Sequence, residues 1–436
     1  MTVIGTGYLG ATHAICMAAL GYEVMGVDTD SDKIVKLAGG EVPFFEPGLP
    51  ELLAKALDSG RLRFSTSFEE AAAFGDVHFV CVGTPQLEGS HAADMQYVDA
   101  AFEELALHID RRALLVGKST VPVGTASRLA GRVRSIAPAG PLAEVAWCPE
   151  FLREGFAVED TMRPERLVFG VESAWAEDML RRSFDPVITP DMPVVVTDMA
   201  TAELVKVAAN SFLATKISYI NAMAQVCEAA GADVQDLATA VGLDSRIGKR
   251  FLRPGLGFGG GCLPKDIRAF THRAEELGVG HAVAFLREVD AINMSLRHRT
   301  VDLVQEIAGG SVAGLKIAAL GIAFKPDSDD IRDAPALEVI DQLRQLGADV
   351  RVYDPVAMDN ARAVRPELTY CDSALGAARD ADVVILLTEW AAFREIEPAM
   401  MGRVVRQRRI IDGRHALDSA RWRAADWRYK ALGRPA

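Results

Sequence analysis

Apolar and polar positions follow a strand and helix rhythm from the first residue of the chain. The β-branched run Thr2–Ile4 breaks at once into the turn Gly5-Thr-Gly7-Tyr-Leu-Gly10. A helical pattern over 11–20 and a second strand over 23–27 follow, and that strand ends at Asp28. This order forms a βαβ unit, whose crossover predicts parallel strands. Few residues precede Gly5, so the first strand looks clipped and we expect the natural start to lie slightly upstream.

Further short apolar runs continue this rhythm and then give way to helices. Buried strands are predicted at 77–82, 113–116, 144–147 and 167–170. Alternation of this kind is typical of a doubly wound α/β sheet. A long, mostly apolar helix is predicted over 200–228, and a second helical stretch over 264–305. No strand signal appears in this middle region.

The βαβ rhythm returns in the last third of the chain. Strands are predicted at 316–320, 349–353, 383–387 and 409–411, with a helix over 334–346. A weak repeat supports this, because Asp28 and Asp354 each stand seven residues after a helix-ending glycine. The predicted fold class is therefore α/β, with two Rossmann-like doubly wound parallel-sheet domains joined by a long central helical connector. The expected boundaries are 1–199, 200–300 and 301–436.

Composition narrows the class of protein. Half of the 436 residues are apolar and a quarter are charged, which excludes disorder as the main state. The charge of −13, from 47 basic and 60 acidic residues, argues against a duplex nucleic-acid binder. The six cysteines fall singly, which excludes a disulfide framework and a zinc knuckle, and no metal is predicted. Without a leader pattern or a long apolar run, we expect a cytoplasmic protein with no membrane partner.

The first glycine turn predicts a dinucleotide site. Gly5, Gly7 and Gly10 follow a strand and open a helix, and Asp28 stands 18 residues after Gly10. In this arrangement the helix N-terminus faces the pyrophosphate and the acid binds the ribose 2′-hydroxyl. Asp28 would repel a 2′-phosphate, which favours NAD, although nearby Lys33 keeps NADP open. A turn without a cofactor is the alternative.

The corresponding turn of the second half departs from this pattern. A longer turn over 321–327 replaces the glycine triplet, so we expect no second dinucleotide there. Lys325 in that turn either meets a phosphate at the mouth of the sheet or is a solvated loop lysine. Spacing alone does not decide between the two.

A glycine-rich loop carries the strongest candidate for a nucleophile. Five glycines fall within 255–261 and lead to Cys262, two residues before Pro264, a favoured first-turn helix residue. A thiol at a helix N-terminus next to Lys265 should have a lowered pKa and act as a thiolate. A buried, inert cysteine is the alternative. We apply that alternative to the other five cysteines, at positions 16, 81, 148, 227 and 371.

Two further groups of polar residues are candidates. Lys206 and Asn210 lie one turn apart on the apolar helix, where buried polar groups need partners. The alternative for Lys206 is a surface pair with Glu203. Glu150 and Glu154 follow a predicted strand, where open sheets place ligands, although either could be a surface charge.

With these residues in place, the chain resembles the UDP-glucose 6-dehydrogenase family over nearly its whole length. The matching motifs are GTGYLG (5–10), FFEPGL (44–49), VGTP (82–85), KSTVPVGT (118–125), PEFLREG (149–155), GFGGGCLPKD (257–266) and FKPDSDDIRDAP (324–335). The resemblance implies an N-terminal NAD-binding domain, a long central helix that builds a homodimer, and a C-terminal domain that binds UDP.

The resemblance also implies a reaction and its catalytic residues. The reaction is the four-electron oxidation of a UDP-glucose C6 alcohol to a carboxylate, with two NAD reduced and a thiol adduct on Cys262. Asp266 and Lys206 would activate a water and stabilise oxyanion charge. Glu150 would act as acid and base in thioester hydrolysis, with Asn210 and Thr120 as its hydrogen-bonding helpers.

Binding residues follow from the same resemblance. The implied cofactor residues are Gly5, Gly7, Tyr8, Leu9, Gly10, Asp28, Lys33, Thr84, Thr120, Glu154, Lys265 and Arg332. The implied substrate residues are Glu150, Phe151, Leu152, Lys206, Asn210, Arg246, Phe258, Gly259, Lys325 and Arg414, with Arg246 lent across the dimer. Because both ligands are anionic and the chain is acidic, we expect Lys33, Lys206, Arg246, Lys265, Lys325 and Arg414 to form one positive cleft.

Other functions stay open from the sequence. GDP-mannose 6-dehydrogenases share the Cys-Leu-Pro-Lys-Asp run, whereas N-acetylhexosamine dehydrogenases are expected to carry Gly-His-Cys. A two-electron hydroxyacid dehydrogenase of related fold would reduce one NAD per substrate. A catalytically silent nucleotide-binding module is the alternative from another class, and the candidate nucleophile Cys262 argues against it.

Overall fold

The computed structural model describes residues 1–435 and contains two compact units. The first comprises Met1–Ala209 with His272–Gly280. The second comprises Asn210–Thr271 and the chain from His281 onwards. Each unit is built on one open β-sheet with helices on both faces.

The first unit contains an eight-stranded sheet in the order β3-β2-β1-β4-β5-β6-β7-β8. Its strands are β1 (Thr2–Ile4), β2 (Val24–Val27), β3 (Leu62–Ser65), β4 (Val77–Val80), β5 (Ala113–Gly117), β6 (Ala143–Trp147), β7 (Leu167–Gly170) and β8 (Val194–Thr197). All neighbouring strands are parallel except β6 and β7, which meet antiparallel at Trp147 and Gly170. The predicted parallel βαβ start is therefore confirmed.

Helices cover both faces of this sheet. They are α1 (Tyr8–Ala19), α2 (Ser31–Ala38), α3 (Leu49–Asp58), α4 (Phe68–Phe74), α5 (Gln96–Leu107), α6 (Thr125–Ile136), α7 (Ala157–Met162) and α8 (Ala174–Phe184), with a 3-10 turn at Gly140–Leu142. Side chains alternate along each strand, so Ile4 packs against α5 and α6 while Val3 packs against α1 and α3. This two-sided burial explains why the strands read as continuous apolar runs.

The middle of the chain is helical, as predicted. Its helices are α9 (Met199–Ala230), α10 (Val234–Gly242), α11 (Leu263–Glu276) and α12 (Phe285–Ala308), with a 3-10 turn at Gly280–Val283. The predicted stretch 264–305 is thus two helices, because the glycines at 278 and 280 interrupt it. Within residues 1–435 no helix has the length and apolar character needed to cross a membrane.

The second unit repeats the order of the first six strands of the first unit. Its six strands run β11-β10-β9-β12-β13-β14, all parallel. They are β9 (Lys316–Leu320), β10 (Asp349–Tyr353), β11 (Thr369–Tyr370), β12 (Val383–Leu386), β13 (Arg409–Asp412) and β14 (Arg428–Ala431). The helices are α13 (Pro335–Gln345), α14 (Met358–Val364), α15 (Ala374–Ala377), α16 (Ala391–Arg394), α17 (Pro398–Met401) and α18 (Ser419–Ala424).

The predicted fold class is confirmed, and the structure corrects its details. Strands β3, β8, β11 and β14 were not predicted, and all four lie at or next to a sheet edge. Helix α1 begins at Tyr8 rather than at residue 11, because Gly7 is its N-cap and the glycine turn runs directly into the first helical turn.

Candidate active site

The first glycine turn has the geometry of a dinucleotide cradle. Gly5 has φ of +86°, and a Cβ on Gly10 would lie 1.7 Å from the carbonyl oxygen of Gly5. A Cβ on Gly7 would meet no atom within 4 Å, so the backbone is open there. Only glycine fits at positions 5 and 10. Gly7, where the backbone is open, is at the N-terminus of α1, and helix N-termini are where a pyrophosphate can bind. These residues fit NAD.

Asp28 stands at the end of β2 beside this turn. One of its carboxylate oxygens accepts hydrogen bonds from the Thr6 backbone N–H (2.7 Å), the Thr6 hydroxyl (3.0 Å) and the Lys33 ammonium (3.0 Å). Its other oxygen accepts from the backbone N–H of Asp30. Although burial opposes ionisation, the hydrogen bonds from Asp30, Lys33 and Thr6 lower the pKa of Asp28. Asp28 is therefore a fixed carboxylate beside the glycine turn, and its binding of a ribose stays a prediction.

Asp354, the counterpart of Asp28 in the second unit, is also held by hydrogen bonds from its own surroundings. Asp354 is 1% exposed, and its carboxylate accepts from Ile322, Ala323, Val356, Ala357 and the Trp390 indole. Every oxygen is occupied by protein donors. Asp354 thus holds its own turn, and the expectation of a single dinucleotide site stays a prediction.

The loops after β4 and β5 meet beside this region. The Thr84 hydroxyl donates to the carbonyl of Thr120 at 2.8 Å, and the Ser119 hydroxyl donates to the carbonyl of Val82 at 2.6 Å. Thr84 is buried and Thr120 half-buried. The structure thus brings two predicted site residues together at the carboxyl end of the sheet.

Glu150 and Lys206 form a buried ion pair. The Lys206 ammonium lies 2.8 Å from one Glu150 oxygen, and the Leu152 backbone N–H donates to the other at 2.5 Å. Lys206 also lies over the ring of Phe151, at 5.6 Å from its centroid. The two side chains are only 6% and 13% exposed. A buried acid and base in contact can exchange a proton or orient a water.

The alternative partner for Lys206 is wrong. Glu203 is buried and accepts hydrogen bonds from the backbone N–H groups of Gly124 (2.7 Å) and Ala126 (2.6 Å) at the start of α6. Arg273 donates to the carbonyl of Val123 in the same motif. Burial raises the pKa of Glu203 to about 6, against the backbone hydrogen bonds and Arg273. Sequence reasoning missed both residues as anchors of the 118–125 motif.

Cys262 is the exposed cysteine that the motif predicted. It directly precedes α11, and its carbonyl accepts from the Asp266 N–H at 3.0 Å, so it occupies the N-cap position. Among the other cysteines, 16, 81, 148 and 227 are buried and 371 is half-buried. Burial raises the pKa of each of these five thiols, to about 12 for Cys16 and Cys81. The inert interpretation fits them.

Asp266 lies one helical turn from Cys262 and is almost completely buried. Its carboxylate accepts from the Asn210 amide at 2.7 Å and from the Lys265 ammonium at 2.5 Å. Asp266 is 2% exposed. Asn210, Lys265 and Asp266, all predicted from the sequence, therefore form one hydrogen-bonded group in the second unit. In this group the ammonium of Lys265, a predicted cofactor residue, donates to Asp266.

The glycine loop packs directly on the 324–335 motif. A Cβ on Gly259 would lie 2.2 Å from the carbonyl oxygen of Asp333, and Gly260 donates its N–H to the carbonyl of Arg332. A Cβ on Gly261 would lie 2.4 Å from the Arg332 guanidinium carbon. Glycines are needed here because two backbones touch. The loop next to Cys262 is thus shaped by the segment that carries Lys325 and Arg332.

Two buried asparagines hold the same loop, and sequence reasoning missed both. The Phe258 backbone N–H donates to the Asn293 side-chain oxygen (2.7 Å), and the Asn293 amide donates back to the Phe258 carbonyl (3.0 Å). The Gly255 N–H donates to the Asn221 oxygen at 2.9 Å. Both asparagines are fully buried on helices, which the apolar pattern hid but their polarity could have signalled.

Arg414 joins three loops of the second unit. Its guanidinium donates to the carbonyls of Leu387 (2.8 Å), Gly257 (2.9 Å) and Phe324 (3.2 Å). Burial lowers its pKa, against the nearby carboxylate of Glu389. Arg414 therefore fixes the loops around the predicted UDP site.

Most of the six cations predicted to form a positive cleft are paired with carboxylates. Carboxylates pair with five of them: Lys33 with Asp28, Lys206 with Glu150, Arg246 with Asp244, Lys265 with Asp266 and Arg414 with Glu389. Lys325 lies over the Phe324 ring, and Arg332 pairs with Asp330. The Arg246 side chain is 87% exposed and contacts its own turn. Their gathering into a single cleft stays a prediction.

Together these features define a class of protein. Two doubly wound sheets, a turn that fits NAD and an exposed thiol at a helix N-terminus are those of an NAD-dependent dehydrogenase. The chain belongs to the UDP-glucose/GDP-mannose dehydrogenase family, an NAD-dependent oxidoreductase family. Its NAD binding domain matches residues 1–188, its central domain residues 200–295 and its UDP binding domain residues 318–419.

Individual relatives agree with this assignment. The chain is 40% identical to the UDP-glucose 6-dehydrogenase of Rhizobium meliloti, over 100% of this chain and 99% of that protein. It is 40% identical to the UDP-glucose 6-dehydrogenase TuaD of Bacillus subtilis, over 100% and 93%. A solved UDP-glucose dehydrogenase from Pyrobaculum islandicum is 38% identical, with a TM-score of 0.91 over 99% of this chain and 97% of that chain. The resemblance to UDP-glucose 6-dehydrogenases is confirmed.

Proposed function

We propose that this protein oxidises UDP-glucose to UDP-glucuronate at the expense of two NAD. The observation that carries the proposal is the exposed Cys262 thiol at the N-terminus of α11, next to the buried Asp266–Asn210 pair. An enzyme that stopped at the aldehyde would have no need of a positioned thiol. The full-length similarity to curated UDP-glucose 6-dehydrogenases supports the choice of sugar.

The proposed roles follow from the chemistry of each group. Cys262 adds its sulfur to the C6 aldehyde that the first hydride transfer leaves, and the thiol proton goes to the aldehyde oxygen. Loss of the C6 hydride and of the hydroxyl proton from this thiohemiacetal leaves a thioester. Glu150 takes a proton from the water that breaks the C–S bond, which yields the carboxylate and restores the thiol. Lys206 and Asp266 stabilise the oxyanion or orient the water, with Asn210 and Thr120 as hydrogen-bonding helpers. NAD, when bound, supplies the acceptor for the hydride of both oxidations.

The binding roles remain those that the sequence indicated. The residues that would bind NAD are the glycine turn, Asp28, Lys33, Thr84, Thr120, Glu154, Lys265 and Arg332. The segment 150–152, Lys206, Asn210, Arg246, the 258–259 loop, Lys325 and Arg414 would bind the UDP-sugar. We assign these functions to segments 1–199, 200–300 and 301–436, and we propose a cytoplasmic location.

We also propose a homodimer built on α9. Within the second unit, Phe212, Tyr219 and Val226 are 65%, 50% and 56% exposed at a spacing of seven residues. This spacing places the three apolar side chains on one helix face. An open groove between α9 and α12, lined mainly by apolar residues of 222–229 and 291–295, continues this face. Large exposed apolar patches of this kind mark interfaces.

Purified full-length protein with saturating NAD tests the reaction. UDP-glucose, GDP-mannose and UDP-N-acetylhexosamines are offered separately, and NADH and uronate are both counted. We expect turnover with UDP-glucose and two NADH per uronate. The Cys262→Ser variant should lose at least about a hundredfold in NADH production, because a serine hydroxyl is a far weaker nucleophile near neutral pH. Cys371→Ser, a half-buried cysteine elsewhere in the second unit, is the matched control.

Each alternative predicts a different outcome. Turnover with GDP-mannose alone would move the protein to the other branch of its family. One NADH per product would identify a two-electron dehydrogenase, and unimpaired NADH production by Cys262→Ser would refute the covalent role. NADH binding without turnover of any sugar would indicate a silent module.

A further inference from the structure

The FFEPGL motif supplies a buried carboxylate whose role the reaction does not explain. Glu46 is 3% exposed. Its carboxylate accepts backbone N–H groups from Gly155 (2.7 Å), Ala157 (2.7 Å) and Val158 (3.3 Å), and the Tyr8 hydroxyl also donates to it. A buried carboxylate is retained only where such donors replace water. All of these groups belong to the first unit.

Tyr8 places one end of this network inside the dinucleotide turn. Tyr8 is the first residue of α1, directly after Gly7. Its hydroxyl donates to Glu46 and accepts the Gly155 N–H at 3.1 Å. Its ring also contacts that of Phe44, with centroids 4.8 Å apart. The phenol is therefore held from two sides by the FFEPGL motif.

The other end of the network lies at the close of the 149–155 segment. Gly155 has φ of +77° and is buried, and its N–H points to both Tyr8 and Glu46. Glu154, its neighbour, is close enough to act on the phenol. Burial, Glu46 and then Glu154 raise the pKa of Tyr8 far above its ordinary value, so the hydroxyl stays protonated and donates.

Glu46 thus ties together two segments that are distant in sequence. The tie reaches 38 residues back to Tyr8 and 109 residues forward to Gly155. One segment is the turn that fits the NAD pyrophosphate. The other carries Glu150 and Glu154. Helix α1 also packs on α7, and Glu46 adds hydrogen bonds that join the start of α1 to the start of α7.

We propose that Glu46 is a positioning residue that, through the Tyr8 hydroxyl and the Gly155 N–H, sets the 150–154 segment against the dinucleotide turn. This proposal rests on the proposed placement of Glu154 beside the nicotinamide. Its consequence is selective. Binding of the adenosine diphosphate half of NAD depends on the turn and Asp28, whereas binding of the nicotinamide half depends on the tie.

The substitution Glu46→Gln breaks the tie without leaving a cavity. If the amide oxygen keeps the Ala157 and Val158 donors, the amide NH₂ faces the Tyr8 hydroxyl and the Gly155 N–H. The amide NH₂ and the Gly155 N–H then oppose each other as donors, and Gly155 keeps only its longer hydrogen bond to the Tyr8 hydroxyl at 3.1 Å. Tyr8→Phe removes the hydroxyl alone and leaves the three backbone donors on Glu46. The matched control is Tyr22→Phe, because the Tyr22 hydroxyl donates to the Arg182 carbonyl in the same unit, away from the turn.

Binding of NADH and of ADP-ribose to the full-length protein separates the two halves of the cofactor. ADP-ribose is NADH without nicotinamide, and both Kd values are measured by calorimetry without any sugar. We expect Glu46→Gln to raise the Kd of NADH about tenfold and that of ADP-ribose less than about twofold, the size of one lost charge-assisted hydrogen bond. Tyr8→Phe should give a smaller change of the same kind. The double variant should match Glu46→Gln, because both changes break one contact.

A purely structural role would affect both ligands equally. Equal rises in the two Kd values, or an unchanged Kd for NADH, would overturn the proposal, as would the same selective loss in Tyr22→Phe. If Glu46→Gln does not fold, Tyr8→Phe decides by the same comparison. Because no sugar is present, this result is independent of whether UDP-glucose is the substrate.

Discussion

Buried carboxylates that bind backbone N–H groups are the residues that organise the first unit. Glu203 holds the start of α6, and Glu46 holds the start of α7. Each ties a family motif to a distant part of the chain by accepting donors that a helix start leaves free. At Glu203, burial outweighs these hydrogen bonds and raises the pKa to about 6.

This shift makes stability depend on pH through Glu203. The ordinary pKa is 4.5 and the folded value about 6, so the folded state holds the proton more tightly than the unfolded state. The resulting stabilisation is complete below about pH 4.5 and is lost as the pH rises through 6. Because one pKa unit is about 1.4 kcal/mol, the loss is at most about 2 kcal/mol.

The substitution Glu203→Gln removes this titration. Urea unfolding of both proteins, followed by tryptophan fluorescence at pH 4.5, 5.5, 6.5 and 7.5, gives their free energies of unfolding. We expect the native protein to lose up to about 2 kcal/mol relative to the variant across this range. Two curves that stay parallel over the whole range would show that Glu203 does not titrate as its burial indicates.

The sequence made the candidate catalytic residues easier to find than the residues that hold their segments in place. Lys206 and Asn210 could be found because polar side chains interrupt an apolar helix, and Cys262 because it follows a glycine loop. Glu46 and Glu203 could not be found, because their partners are backbone N–H groups far away in sequence. A backbone donor leaves no trace in the residue pattern.

At the scale of elements, burial decides which strands the sequence reveals. Strands β4, β5 and β12 lie inside their sheets, are buried on both faces and read as apolar runs. Strand β8 lies at a sheet edge with Val195 and Val196 exposed, and β11 is an edge strand of only two residues. These edge strands are less covered than the central strands, so fewer of their positions need to be apolar and their sequence pattern is weaker.

The glycine loop is an element whose shape depends on helices rather than on itself. Asn293 on α12 forms a donor and an acceptor bond with the Phe258 backbone, as a neighbouring strand would. In Asn293→Asp a carboxylate of the same size would face the Phe258 carbonyl. One hydrogen bond is lost and replaced by repulsion. We expect the KM for UDP-glucose to rise about tenfold or more, with the Kd of NADH changed less than about twofold.

Asn221→Asp is the matched control for this prediction. This substitution buries a carboxyl at an equally inaccessible site. It keeps the side-chain oxygen that accepts the Gly255 N–H. The amide nitrogen of Asn221 that it replaces has no hydrogen-bond partner among the described residues. Steady-state kinetics of the two variants therefore isolate the bond to Phe258. A KM that rises equally in both would assign the effect to the buried charge.

At the scale of the whole molecule, the exposed face of α9 supports the proposed homodimer. Phe212, Tyr219 and Val226 would leave three large apolar side chains in water if the protein were monomeric. Burying them against a second copy offsets that cost by about 25 cal/mol per Å². The face repeats every seven residues, so two copies of the helix can pack along a common seam.

Replacing Phe212 and Tyr219 by Asp in one variant tests this seam. Two carboxylates on the same face would be desolvated in a dimer but solvated in a monomer, so we expect dissociation to become at least about a hundredfold more favourable. Sedimentation should then find the 46.9 kDa chain instead of twice that mass. Tyr97→Asp, on α5 of the first unit and 52% exposed, controls for an added charge at an exposed tyrosine and should stay dimeric. A native protein that sediments as a monomer, or a double variant that stays dimeric, would place no interface on this face.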